Sequence, residues 1–202
     1  IQQQEGWTAL IFASQNGHTD IARLLLKHGA NVDIQKQPGA TALMAASQNG
    51  HTDVARLLLD RGANLDIQQQ EGSTALMAAS RNGHIDMARL LLERGANVET
   101  QNQQGITALI FASLNGHTET ARLLLERGAD VNIQTQEGWT ALMLASENCH
   151  THTARLLLDR GANVEKQDQS GENALMYASR NGHIDTARLL LDHGANVEKQ
   201  DQ

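Results

Sequence analysis

Cys149, His150 and His152, within the stretch ENCHTHT, are the densest gathering of metal-binding residue types in the sequence. A thiolate and two imidazoles would supply the sulfur and nitrogen donors that zinc takes. His150, however, has counterparts at His18, His51, His84, His117 and His183, each placed after Asn-Gly, so its first duty is to the framework. Nucleophilic use of the thiol would need an acid that orients the histidine, and none is placed to do so. Cys149 itself replaces a helix-ending glycine, where left-handed backbone costs a residue with a Cβ about 1 kcal/mol. These residues predict no metal, no cofactor and no catalytic centre.

A row of arginines, Arg23, Arg56, Arg89, Arg122, Arg155 and Arg188, has the charge needed to hold phosphates. Most of its members have acids at helical spacing, such as Asp20 before Arg23, Asp53 and Asp60 around Arg56, and Glu119 and Glu126 around Arg122. Such spacing makes a charge-compensated, solvated helix face. The fifth member is uneven, with His152 in place of the acid.

Composition narrows the function classes further. The 202 residues carry a net charge of -7, are 40% hydrophobic and only 2% aromatic, and include one Pro, one Cys and 17 Gly. Negative charge argues against a nucleic-acid groove or an anionic membrane surface, both of which need a concentrated positive footprint. With so few rings, small and aliphatic side chains must fill the core. No apolar run reaches the roughly 18 residues of a membrane span. The first residue is Ile within IQQQEG rather than Met, so the chain is expected to be a piece of a longer protein. One cysteine and no signal peptide in this stretch point to an intracellular setting.

The elements that position these residues follow from a repeat. GWTALIFAS at Gly6 returns as GATALMAAS at Gly39, GSTALMAAS at Gly72, GITALIFAS at Gly105, GWTALMLAS at Gly138 and GENALMYAS at Gly171, always 33 residues on. Six repeats result, at about 3–35, 36–68, 69–101, 102–134, 135–167 and 168–200, within one domain over 1–202. In the first, Thr8 has the side chain of a helix N-cap and Gly17 that of a left-handed stop, which predicts a helix of about two turns. Ile21, Ala22, Leu24 and Leu25 then share one helical stripe, with Asp20 in the first turn and Gly29 as the end. A single helix pair cannot bury its apolar face, so neighbouring repeats must stack. The fold class is therefore all-α, a solenoid of stacked antiparallel helix pairs.

These motifs resemble the ankyrin repeat, whose pattern G-x-T-P-L-H-x-A-A-x-x-G-H, leucine-rich second helix and G-A-D-V-N finger is matched in all six repeats. The resemblance implies antiparallel helix pairs joined by hairpin fingers, and a groove of fingers and first helices that binds a protein partner without chemistry. The competing expectation is a structural or engineered repeat spacer without a specific partner.

The departures from that pattern are informative. Thr-Pro-Leu-His becomes Thr-Ala-Leu-Ile or Thr-Ala-Leu-Met, which removes a preset proline and a hydrogen-bonding histidine, so aliphatic packing is expected to replace that link. Asn173 replaces the capping threonine and caps as well. The finger aspartate survives only as Asp168, its place being taken by Gln3, Lys36, Gln69, Asn102 and Thr135, which predicts looser fingers. Two glutamine rows, Gln35, Gln68, Gln101, Gln134, Gln167, Gln200 and Gln4, Gln37, Gln70, Gln103, Gln136, Gln169, either form an amide ladder to the next finger or face water.

Partner specificity is expected where repeats differ. After the finger glycine stand Trp7, Ala40, Ser73, Ile106, Trp139 and Glu172; at the end of the first helix stand Gln15, Gln48, Arg81, Leu114, Glu147 and Arg180. Ile106, Leu114 and Trp139 would form an apolar patch with Glu147 and Arg180 as a charged rim, and Trp7 and Arg81 would be outlying contacts. Asn132, in the sole finger reading Asp-Val-Asn, resembles an asparaginyl-hydroxylation acceptor. The first and last repeats keep apolar faces, so end-to-end self-association is expected.

Overall fold

A computed structural model of the protein describes residues 6–36 and 39–200. The chain divides into two compact bodies, Ile1–Gln103 and Gln104–Gln202. The first contains α1 (Ala9–Gln15), α2 (Thr19–Lys27), α3 (Ala42–Gln48), α4 (Thr52–Asp60), α5 (Ala75–Arg81) and α6 (Ile85–Glu93). The second contains α7 (Ala108–Leu114), α8 (Thr118–Glu126), α9 (Ala141–Glu147), α10 (Thr151–Asp159), α11 (Ala174–Arg180) and α12 (Ile184–Asp192). Within each body every first helix packs on its own second helix, and like helices pack on like from repeat to repeat. This is the all-α, ankyrin-like solenoid that the sequence predicts.

The helices are short because their boundaries are written into the chain. The Oγ of Thr8, Thr41, Thr74, Thr107 and Thr140 accepts the amide three residues on at 3.2–3.3 Å, and the Oδ1 of Asn173 does the same from Met176 at 3.1 Å. Each cap satisfies one of the orphan amides at a helix start. Glycines with positive φ close most first helices; Cys149, at φ 60°, is the one described residue with a side chain in that region. Cores are filled as the composition demands. The largest fully buried side chains are Leu, Ile and Met, including Leu43, Met77 and Leu91 in the first body and Ile110, Met143 and Leu142 in the second.

One expectation about α2 is corrected. Ala22 is buried, but Ile21 and Leu24 are 49% and 57% exposed, whereas their equivalents Val54 and Leu57 are 1% and 8% exposed. The outer part of this stripe is covered by the preceding repeat's second helix, and among the described residues none packs there on α2.

The repeating histidine supplies a link that sequence analysis assigned to aliphatic packing alone. Nε2 of His51 lies 3.0 Å from the Gln15 carbonyl, with His84 on Gln48 at 3.1 Å, His150 on Leu114 at 3.1 Å and His183 on Glu147 at 2.8 Å. Each carbonyl belongs to the last residue of the preceding first helix, where no intrahelical amide is available. A carbonyl only accepts, so Nε2 carries the hydrogen. The ring then lies against the preceding helix-ending glycine: a Cβ on Gly17, Gly50 or Gly116 would meet imidazole Nδ1 at 2.7, 2.8 or 2.5 Å.

The glutamine rows form a ladder, but through backbone carbonyls rather than from side chain to side chain. In the first row, Nε2 of Gln35, Gln68, Gln134 and Gln167 donates to the carbonyl of Gln68, Gln101, Gln167 and Gln200 at 3.0–3.4 Å, one finger on. In the second, Gln103 and Gln169 donate at 2.7 Å to Gln70 and Gln136, one finger back. Gln3, Gln4 and Gln37 lie outside the described residues.

Two substitutions read this geometry. Cys149→Gly should raise stability by about 1 kcal/mol by relieving left-handed backbone. Gly116→Ala should lose about 2 kcal/mol or more, since strain and the imidazole act together. Denaturant midpoints that move the same way for both would contradict this account.

Candidate functional site

The fingers and first helices of the fifth and sixth repeats bring together Thr135, Trp139, Asp168, Glu172, Tyr177 and Arg180. Asp168 Oδ1 accepts the amides of Ser170 at 2.9 Å and Glu172 at 3.0 Å, which shapes the finger turn. Its Oδ2 accepts the hydroxyl of Tyr177, a buried residue of α11. Where the aspartate is absent the turn still closes through backbone: Lys36 donates to the Ala40 carbonyl, Gln69 to Ser73 and Thr135 to Trp139, at 2.9–3.0 Å. Thr135 goes further, its Oγ1 accepting the Trp139 amide at 3.1 Å.

That closure holds the half-buried Trp139 indole over the Tyr177 ring, with centroids 4.3 Å apart and planes tilted by 32°. Arg180, exposed at the end of α11, places its guanidinium 5.2 Å from the same ring and pairs with Glu172. The result is an aromatic pair edged by a compensated charge. Burial, then the hydrogen bond and negative charge of Asp168, then the charge of Glu147, raise the Tyr177 phenol well above its ordinary value. Its environment favours the neutral hydroxyl.

The predicted patch is assembled only in part. Trp139 and Arg180 meet through Tyr177, which sequence reasoning missed. Ile106 and Leu114 are both half-buried but flank opposite ends of α7, about 10 Å apart. Glu147, half-buried at the end of α9, gives its carbonyl to His183. Trp7 and Arg81 belong to the first body. There Trp7 stacks on Phe12 at 4.5 Å, and the Lys36 ammonium, its pKa lowered by burial, lies 3.3 Å from the Trp7 ring centroid.

Asn132 is half-buried and engaged at both ends of its amide, donating to the Gly161 carbonyl at 3.1 Å and accepting the Asn163 amide at 2.8 Å. It joins one finger to the next, so its modification would require those bonds to open. Cys149, His150, His152 and Asp185 border an open recess of about 380 Å³. His150 is turned onto its carbonyl, and among the described residues no three His, Cys, Asp or Glu side chains converge as metal ligands. The arginine row is compensated where visible, with Arg122 3.4 Å from Glu119 and Arg188 3.5 Å from Asp185.

A family model for ankyrin repeats in three copies matches residues 1–69, 61–135 and 127–201. The chain belongs to the ankyrin-repeat family. Ankyrin repeats are generally protein–protein interaction modules. The crystal structure of the ankyrin repeat domain of human ASB11 is similar, with a TM-score of 0.90 and 26% identity over 96% of this chain and 87% of that one. No curated protein sequence matches. No described helix of this ankyrin chain is long and apolar enough to cross a membrane.

Tyr177 is the chain's only tyrosine, so phenolate absorbance reports it alone. The folded protein should show no ionisation at about pH 10, where a free phenol is half-ionised. A pKa raised on folding means that the folded state holds its proton longer, so this contribution is intact below about pH 10 and falls as pH rises beyond it. Asp168→Asn should move the titration back towards the ordinary value. An ordinary midpoint in the folded parent would refute the network.

Proposed function

We propose that this ankyrin domain is a protein-binding module whose principal contact in the second body is the finger-and-first-helix face around Trp139, Tyr177 and Arg180. The observation that carries this reading is the Trp139–Tyr177 pair: an indole held in place but still half-buried, beside an exposed arginine. Aromatic and arginine side chains dominate binding hot spots because they offer large area with few rotors to immobilise. Ile106 and Leu114 extend the contact with aliphatic surface, and Glu147 stands at the rim. The partner side suited to such a face is an apolar segment flanked by an acid that can compete with Glu172 for Arg180. Nothing in this arrangement offers a nucleophile or acid–base pair, so binding is the whole activity proposed.

A partner selected against the parent domain should bind Trp139→Ala about thirtyfold more weakly, the equivalent of about 2 kcal/mol. Arg180→Ala should weaken it less, since that charge is already paired with Glu172. Far-ultraviolet circular dichroism should be unchanged for both. Equal affinity for parent, Trp139→Ala and a combined Ile106→Ala and Leu114→Ala variant would place the contact elsewhere. Failure of repeated selections to yield any binder would favour the spacer reading.

A further inference from the structure

We propose that the open side of the Trp139 indole takes a cationic side chain, lysine or arginine, from the segment that docks on this face. The proposal names the chemistry of one residue on that segment and rests on the reading of the face given above. Trp139 belongs to the fifth repeat and is flanked by the fourth and the sixth, so it does not lie on an end face.

The first body shows what an equivalent tryptophan holds. Trp7 has the place of Trp139 in the first repeat, and its indole stacks on Phe12 at 4.5 Å with planes only 16° apart. The Lys36 ammonium lies 3.3 Å from the centre of the same indole. A near-parallel ring at that distance leaves no room for an ammonium beside it, so ring and ammonium occupy opposite faces of Trp7. Lys36 stands in the following finger, at the place that Asp168 holds in the finger after Trp139. The Asp168 carboxylate is committed to the Tyr177 hydroxyl and two finger amides.

Each tryptophan stacks on the aromatic ring within its reach. Trp7 has Phe12 in its own repeat and Ala45 in the next, whereas Trp139 has Leu144 in its own and Tyr177 in the next. One face of the indole is therefore covered by a ring in both cases. The other face carries a lysine at Trp7, and at Trp139 no described residue makes a further ring or cation contact.

Charge selects what can fill that place. Glu137 lies two residues before Trp139, Asp168 bonds the ring beneath the indole, and Glu147 acts with Asp168 to hold the Tyr177 proton. None of these three carboxylates forms an ion pair among the described residues. Glu172 and Arg180 compensate each other, and the Lys166 ammonium is engaged by the Asn132 carbonyl at 2.9 Å and Gln134 Oε1 at 3.0 Å. Indole is the aromatic face that attracts a cation most strongly, and the surrounding carboxylates add to that attraction while repelling an acid.

The test uses three short peptides that differ only at a central lysine, norleucine or glutamate between leucines. Each is titrated into the isotope-labelled 202-residue chain, whose two tryptophans give two indole N–H resonances; Trp139→Ala deletes one and so assigns both. The Trp139 resonance should respond to the lysine peptide at about fivefold lower concentration than to the norleucine peptide, the scale of a partly exposed cation–π contact. The glutamate peptide should act most weakly, and salt should narrow the differences. The Trp7 resonance should stay still, since Lys36 already fills its face. Asp168→Asn and Glu147→Gln should each reduce the lysine preference with circular dichroism unchanged. If Asp168→Asn loosens the finger, Glu147→Gln tests the same charge alone. Equal responses to the lysine and norleucine peptides overturn the proposal while leaving Trp139 a contact surface. A lysine preference untouched by Glu147→Gln, or a Trp7 resonance that moves with that of Trp139, also overturns it. So does a Trp139 resonance that no peptide moves, in which case the affinity of a selected partner for Trp139→Ala decides the contact reading separately.

Discussion

A helix of seven residues leaves most of its carbonyls without an amide of its own, and in this chain the last of them is taken by the next repeat. The imidazole of His51, His84, His150 or His183 spans that gap in a bond of 2.8–3.1 Å. Each such bond contributes about 1 kcal/mol, but an unmet carbonyl there would cost more than the bond gains. The strap also dictates its surroundings. Its ring occupies the space that a Cβ on the helix-ending glycine of the preceding repeat would need, so that glycine and the histidine one repeat on act as one device. Length is constrained with it, since adding or deleting one residue between the strap and the first helix would rotate the imidazole off its carbonyl. Stability thus resides in repeated interfaces rather than in any one repeat.

The fingers solve the same problem by a different route. Asp168 shows what a finger aspartate does, gathering two amides and a phenol with one carboxylate. Elsewhere the turn is closed by backbone pairs, and the glutamine rows tie finger to finger through main-chain carbonyls. An amide side chain suits this task because it donates without introducing a charge that neighbouring rows would repel. The buried hydroxyls of Ser14, Ser80, Ser113 and Ser146 have no such partner, and nothing in the structure explains their retention in place of alanine.

Much of the fold was legible because its determinants are local. Thr8, Thr41 and Asn173 announce caps, Gly17 and Gly116 announce stops, and a 33-residue recurrence requires stacking. What was not legible depends on where a side chain reaches in the neighbouring repeat. The strap was invisible because donor and acceptor lie 36 residues apart and the acceptor is main chain, whose identity leaves no trace in the sequence. Ile21 and Leu24 were assigned to the core for the same reason, since their stripe is apolar whether or not a neighbour covers it. Tyr177 did leave a signal. Its row reads Phe12, Ala45, Ala78, Phe111 and Leu144, so it alone there carries a hydroxyl, in the same repeat that keeps the finger aspartate. Two departures in one repeat, nine residues apart, are the mark of a bonded pair.

Recurring positions thus hold the repeats together, while varying positions concentrate on the finger-and-first-helix face. That separation matters for binding because association loses side-chain freedom, and a residue already held by the scaffold loses less. Trp139 is fixed by Thr135 behind and Tyr177 beneath; Tyr177 is fixed in turn by Asp168; Arg180 is held over the ring by Glu172. Thr135 and Asp168 also shape their own finger turns, so the contacts that build the fingers are the ones that hold the aromatic pair. The aromatic pair is therefore preorganised across two repeats, with Trp139 held from the finger of the fifth and Tyr177 from α11 of the sixth.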